Sequence, residues 1–242
     1  MSKALEADLD QDMQSKLALG YELALGQAFL IDDLNDGQTS TADVKLISAL
    51  KEIEVASVVD AIGWPRGRVA FSWSGTQAAA LCAEEESYLQ KRRPLPSGNI
   101  LGRSAPVLSY YQAIAYGSSQ ERVQTLKKLI TQYLLVAQWC DDLYDWEDDL
   151  LAGRFTPVVH EFVTSAGFES CVDYEESHYP SLLRAVYLGG LLLRELRRCH
   201  ARLSDVVAGL CDIGSAAEDL VVIVLNLKSI VESNIAKLGS MI

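Results

Sequence analysis

No apolar run in this chain reaches about 18 residues, the length a membrane-spanning helix needs, and no cationic-then-apolar leader opens it. The longest candidates, residues 186–193 and 220–227, fall well short. Membrane insertion and secretion are therefore not expected, and a cytoplasmic location is. Cysteine is sparse and unpatterned. Cys82, Cys140, Cys171, Cys199 and Cys211 are odd in number and lack C-x-x-C spacing, which points to reduced, mostly buried thiols. The three histidines, His160, His178 and His200, show no metal-ligand pairing. Positive charge is short as well: 21 Lys and Arg against 33 Asp and Glu leave a net charge of −12. Nothing supplies a basic face, so a nucleic-acid or anionic-membrane partner is not expected. If the ligand is an anion, cations must bridge it to the protein.

What remains is a globular composition, 49% hydrophobic and 22% charged, in a chain of 242 residues, enough for one domain with a full core. Strand signals are nearly absent. Helical periodicity predicts helices over 3–36, 41–62 (capped by Ser40 or Thr41), 76–90, 105–116, 120–151, from Thr156 or Pro157 to near 167, 180–212 and 216–237. Residues 63–75 hold Pro65 and three glycines and read as a loop, with a short strand at 69–73 as the alternative. Another loop, 91–103, is rich in Pro, Gly and Ser; an acidic one covers 169–178, and Gly189–Gly190 marks a close approach or kink. The predicted fold is all-α: about eight helices around one core in a single domain, 1–242.

The densest chemistry lies in AQWCDDLYDWEDDLLAGR, residues 137–154, where Asp141, Asp142, Asp145, Glu147, Asp148 and Asp149 crowd together. A helix turns about 100° per residue, so Asp141, Asp145 and Asp148 fall within roughly 60° of one another, with Asp142 and Asp149 on the flank. Like charges at such spacing destabilise a helix. A bound hard divalent cation would offset the repulsion; a solvated acidic helix end before a glycine stop is the plainer alternative. A second acidic group favours the cation. Segments 28–36, AFLIDDLND, and 137–145, AQWCDDLYD, share A-x-x-x-D-D-L-x-D. Two apolar helices ending in one carboxylate pattern suggest two tips that face each other across a mouth and share a metal cluster.

Such a cluster binds a diphosphate, neutralises it and makes it a good leaving group. If the diphosphate is allylic, its departure leaves a carbocation that a deep apolar pocket must shield. Candidate walls stand on the same stripes: Phe29, Leu25 and Tyr21 before Asp32, and Gln138, Leu134 and Ile130 before Asp141, with Tyr133 on the flank. Ordinary core packing explains these residues equally simply. Basic candidates to sense the diphosphate are Arg92, Arg93 and Arg103 in or beside the 91–103 loop, where a solvated helix end is the alternative.

These motifs resemble those of the class I isoprenoid synthase superfamily, which comprises prenyl diphosphate synthases, squalene and phytoene synthases, and class I terpene cyclases. FLIDDLND is similar to its first aspartate-rich motif and QWCDDLYDWEDDLLAGR to its second. Gln138, Asp145, Asp148, Asp149, Gly153 and Arg154 also fit the squalene/phytoene version. The resemblance implies a helical bundle, about three Mg²⁺ ions and an allylic prenyl diphosphate substrate. It makes Asp32, Asp33 and Asp36 catalytic metal ligands on one wall and Asp141, Asp142 and Asp145 on the other. Asp149 joins the second set at the i, i+4, i+8 spacing that cyclases use, although their triad is of Asn-Ser-Glu type and Asp141, Asp145 and Asp149 are all aspartate; Arg154 becomes a diphosphate contact, with a surface or helix-end charge as the alternative. A homodimer is the common assembly of such proteins.

Departures narrow the reading. No arginine pair follows the first motif, as chain-elongating synthases have, and 104–130 lacks the Tyr-Cys glycine-rich motif of head-to-head synthases. The first motif also arrives early, so either the bundle is shortened at its N-terminal side, with a pocket that is shallow or completed by a partner, or the sequence is part of a longer product. The expected activity is therefore Mg²⁺-dependent ionisation of an allylic diphosphate with cyclisation or rearrangement of the cation. A linear or head-to-head prenyl diphosphate synthase is the alternative. Further off stand a helical nucleotide pyrophosphohydrolase, which Glu84, Glu85 and Glu86 could serve, and a non-catalytic subunit.

Overall fold

The computed structural model describes residues 9–35, 41–74, 111 and 120–240, giving the backbone alone at 25, 28–29, 31–35, 41–44 and 65–74. Every regular element among the described residues is helical, and no strand occurs among them. The all-α expectation therefore holds there. The helices are α1 (Gln11–Asn35), α2 (Thr41–Ser74), α3 (Gln120–Leu151), α4 (Pro157–Ser165), α5 (Tyr179–Leu183), α6 (Leu191–Ile213) and α7 (Glu218–Gly239). The chain divides into two compact units: Met1–Ala80 with Gly102–Lys127, and Leu81–Leu101 with Lys128–Ile242.

In the first unit α1 and α2 pack as an antiparallel pair. Asp10 starts α1 by accepting the Met13 backbone N–H at 2.8 Å, satisfying one of the unpaired donors of the first turn. Helix α1 thus begins at Gln11, later than residue 3 as the periodicity predicts. Leu17, Ala24, Val58 and Ala61 form the shared core, with Met13 and Tyr21 packed against it. A polar layer interrupts that core toward the connection. Gln27 donates to Glu54 Oε2 at 2.8 Å, and Lys51 Nζ reaches the same oxygen at 2.9 Å. Glu54 is fully buried, so these donors offset the cost of desolvating its charge.

Residues 63–74 correct the expected loop, and the strand alternative with it: the chain remains helical to Ser74. Gly63 alone leaves the helical region, at φ 74° and ψ 162°. Pro65 then falls in the first turn of a renewed helix, the one place where a missing N–H costs nothing. Proline and glycine here make a kink and a restart.

In the second unit Thr156 caps α4, with Pro157 at its first turn as the sequence suggests. Trp146 of α3 meets Phe162 of α4 edge-to-face at 5.3 Å. Helix α5 runs into a π turn, Arg184–Leu188, then breaks at Gly189 and Gly190 (φ 75°) before α6 begins. The glycine pair is therefore the predicted kink. Helices α6 and α7 pack as a hairpin, with His200 Nε2 and Glu232 Oε1 3.2 Å apart across it. The predicted helices over 76–90 and 105–116 and the loop over 91–103 lie outside the described residues, apart from Tyr111, which is helical and buried.

Candidate functional site: the acidic end of helix α3

The uninterrupted run from Gln120 to Leu151 makes one helix of 32 residues, and its last three turns carry the second acidic motif. Exposure divides the carboxylates in a way that the sequence does not specify. Asp141, Asp145 and Asp148 are exposed, whereas Asp142 and Asp149 are each only 7% exposed. The stripe read from helical phase is thus the solvent side, and the flanking pair turns inward.

Each inward carboxylate has a donor from this chain. The Gln138 side-chain N–H donates to Asp142 Oδ1 at 3.0 Å and reaches Asp141 Oδ2 at 3.4 Å. Arg154 Nε and Nη2 both lie 2.9 Å from Asp149 Oδ1.

The backbone explains how Arg154 arrives there. Gly153 adopts φ 73°, in the left-handed region. The Gly153 N–H then donates to Leu150 O at 3.0 Å and the Arg154 N–H to Asp149 O at 2.7 Å. These are the paired bonds of a Schellman ending, in which the residue after the glycine folds back over the last turn. An apolar contact usually closes this motif; here the Arg154–Asp149 ion pair does. The pair also answers an electrostatic problem, because the last turn of α3 holds no basic residue and the helix dipole there is negative. The Gly-Arg dipeptide is therefore first of all a helix stop that returns a guanidinium to a buried carboxylate.

Other side chains of α3 have structural roles. Glu147 accepts hydrogen bonds from the Tyr179 hydroxyl and, at 3.3 Å, from that of Tyr187, tying α3 to α5 and the π turn. That hydrogen bond to Glu147, helped by burial, pushes the Tyr179 phenol up to about 12. Tyr144 accepts from Asn234 of α7 at 2.9 Å. Trp139 Nε1 is buried and has no hydrogen-bond partner among the described residues. These links join residues 32 to 90 apart in the chain, so no local pattern in the sequence could announce them.

Of the expected wall residues, Leu134 and Ile130 are buried, Tyr133 is half-buried, and Tyr21 packs against the α1–α2 core. Burial pushes the Tyr133 phenol up. An open groove of 860 Å³ runs along α2, lined by Ser48, Lys51, Val55, Val59 and Trp64 among others; none of the expected wall residues lines it. The first motif ends α1 as expected. The side chains of Leu25, Phe29, Asp32 and Asp33, together with Asp36, Arg92 and Arg103, lie outside the described residues.

Among the described residues no three His, Cys, Asp or Glu side chains converge on one metal-sized point. One helix cannot achieve this alone, because Asp141, Asp145 and Asp149 are spread along roughly 12 Å of its axis. The donor set is carboxylate oxygen throughout, the ligand chemistry that suits a hard cation. No family model, curated protein or solved structure matches this chain.

Proposed function

We propose that this protein is a class I isoprenoid synthase of the cyclase kind. It ionises an allylic prenyl diphosphate with Mg²⁺ and lets the resulting carbocation cyclise or rearrange. The observation that carries this reading is the repeated A-x-x-x-D-D-L-x-D pattern at 28–36 and 137–145, two acidic stretches on two helices. Both helices lack a basic residue in the last turn, so the carboxylates there also oppose the helix dipole. Repeating so unfavourable a feature makes physical sense if cations are part of the working state.

In this reading Asp32, Asp33 and Asp36, with Asp141, Asp142 and Asp145, hold the Mg²⁺ ions. When bound, those ions neutralise the diphosphate and improve it as a leaving group. Gln138 orients Asp142 through its 3.0 Å hydrogen bond. Asp149 is a further ligand in this reading, and because its Oδ1 is engaged by Arg154 it also positions that guanidinium toward the diphosphate. Leu25, Phe29, Tyr21 and Leu134 supply apolar wall that keeps water from the cation, and Arg92 and Arg103 are further diphosphate contacts.

The test is a product screen by gas chromatography. Geranyl, farnesyl and geranylgeranyl diphosphates are each incubated with the protein and Mg²⁺, with and without isopentenyl diphosphate. A cyclic hydrocarbon or alcohol formed from one allylic diphosphate alone is the expected result, abolished in Asp32→Ala and Asp145→Ala while both variants remain folded. A longer linear diphosphate formed only with isopentenyl diphosphate would replace cyclisation by elongation. Full turnover in both variants would remove these aspartates from the mechanism.

A further inference from the structure

The shortage of positive charge has one local exception. Of the 21 Lys and Arg in the chain, Arg194, Arg197, Arg198 and Arg202 fall within one short stretch of α6, and all four are exposed. They share a side because Leu196, Cys199, Leu203, Val206 and Leu210 bury the opposite one. Arg194, Arg198 and Arg202 stand at i, i+4 and i+8, a row with steps of about 6 Å and a length of about 12 Å, and Arg197 lies beside its first turn. The expectation that nothing supplies a basic face is therefore corrected on this helix.

Like charges one turn apart repel, and the fold compensates only two of the four. Glu195, 1% exposed, accepts from Arg194 Nε at 3.0 Å and from Arg198 Nη1 at 3.4 Å. Arg194 Nη2 also donates to Glu161 Oε1 and Ser165 Oγ of α4, each at 3.0 Å. A buried carboxylate thus fixes two guanidiniums whose side chains stay 50% and 52% exposed. Each guanidinium has five N–H donors, so both keep donors for a partner. Arg197 and Arg202 have no ion-pair partner among the described residues. The result is a row that is oriented from below and open from above.

We propose that this arginine face of α6 is a docking surface for an acidic helical segment of another protein, one whose carboxylates recur a turn apart. Charge complementarity carries the choice. Carboxylates at four-residue spacing match the row step for step, and guanidinium–carboxylate pairs can be bidentate. The row stands on the outer side of a helix, whereas small anions are held in concave sites. It is also short. Asp205 and Asp212 lie exposed on the same side of α6, the first about 4.5 Å beyond Arg202 along the axis. A membrane plane or a nucleic-acid duplex laid on the arginines would meet Asp205 inside the Debye length of about 8 Å, and the net charge of −12 opposes both. A segment of three helical turns meets the arginines alone. The acidic surface elsewhere repels the same segment, so this face decides where it docks.

The test does not depend on the proposed catalysis. The full chain is titrated with a dye-labelled helical peptide carrying glutamate at every fourth position on an alanine background, and with its glutamine counterpart, and anisotropy is read at low and at physiological salt. The expected result is saturable binding of the glutamate peptide that weakens with salt. The glutamine peptide, and the Arg197→Glu/Arg202→Glu protein, should each lose about tenfold in affinity. Lys128→Glu/Lys237→Glu changes the net charge equally at exposed lysines elsewhere and should stay within about twofold of wild type. The proposal is overturned if the glutamate peptide does not bind, if the two peptides bind alike, or if the two double variants lose affinity equally. Tighter binding of phosphatidylserine–phosphatidylcholine vesicles or of a short DNA duplex would overturn it in favour of a membrane or a nucleic acid. A wild-type dimer that Arg197→Glu/Arg202→Glu dissociates would overturn it in favour of a second copy. The two peptides decide on the wild-type protein, whether or not a variant folds.

Discussion

The ion pair that closes α3 gives the most exacting test of how this acidic helix end is held together. Asp149 carries a carboxylate with a 10% exposed side chain, and Arg154 places two nitrogens 2.9 Å from its Oδ1. Breaking a fully buried pair by removing one partner costs about 3–5 kcal/mol, because a buried charge is left alone. The Arg154 side chain is 44% exposed, so water screens part of the interaction and an exposed pair is worth at most about 1 kcal/mol. Arg154→Ala should fall between these limits, at about 1–2 kcal/mol. Asp149→Asn should cost less, since it also removes repulsion from Asp145 one turn earlier, about 0.2–0.5 kcal/mol. Once Asp149 has lost its charge, removing Arg154 should no longer cost the share of stability that this ion pair supplies. The double variant should therefore cost less than the two single variants summed, and a double-mutant cycle in urea should give a coupling of about 1 kcal/mol. Molar salt should reduce that coupling only in part, because the carboxylate is buried. A coupling within about 0.3 kcal/mol of zero would refute the argument that this ion pair closes the helix.

Two further predictions concern tyrosines and glycines. Tyr111, through burial, and Tyr179, through its hydrogen bond to Glu147, are both pushed up to about 12 from an ordinary value of 10.0, and burial raises Tyr133, Tyr144, Tyr174 and Tyr187 as well. The unfolded chain loses these protons first, so their contribution to stability is complete below about pH 10 and disappears as pH rises toward about 12. Urea midpoints should fall from about pH 10 toward about pH 12; a flat or rising trend would show that the phenols ionise alike in both states. At the kink before α6, a Cβ on Gly189 would stand 2.5 Å from the Ala185 carbonyl oxygen, and Gly190 has φ 75°. Gly189→Ala should therefore cost about 1–3 kcal/mol and Gly190→Ala about 1–2 kcal/mol. Gly239→Ala, helical with open space around it, should be neutral or stabilising by up to about 1 kcal/mol in the same denaturation series.

Much of this architecture is legible in the residues, for reasons that differ between elements. The 120–151 helix can be read directly because nothing in it interrupts the periodicity, and its glycine stop is a local signal. Thr156 and Pro157 mark the start of α4 in the same way. The 63–75 segment misleads because Pro and Gly carry two meanings, loop or kink-and-restart, and local composition does not choose between them. Helical phase places Asp141, Asp145 and Asp148 on one stripe, yet phase is a relative angle and does not say which side faces the interior. The burial of Glu54 and the contacts of Glu147 are illegible for another reason: their partners are chosen by tertiary packing, and Tyr179 lies 32 residues from Glu147.

The internal division of α3 bears on what its acidity is for. Gln138, Asp142, Asp145 and Asp149 follow one another at intervals of four, three and four residues, so they lie along a single seam of the helix. The protein supplies donors near both ends of that seam, the Gln138 amide to Asp142 and the Arg154 guanidinium to Asp149. Between them Asp145 is exposed, and neither its side chain nor that of Asp148 accepts a hydrogen bond or ion pair from the described residues. Were the motif only a solvated helix end, desolvating Asp142 and Asp149 and then compensating both would serve no purpose, since exposed aspartates at those positions would be cheaper. Burying two carboxylates while holding them with fixed partners instead gives the seam a defined geometry. An outward carboxylate on a seam so held is presented rather than merely tolerated. In the proposed reading, this is the arrangement that a hard-cation site would use, with Asp141 and Asp145 as its working edge.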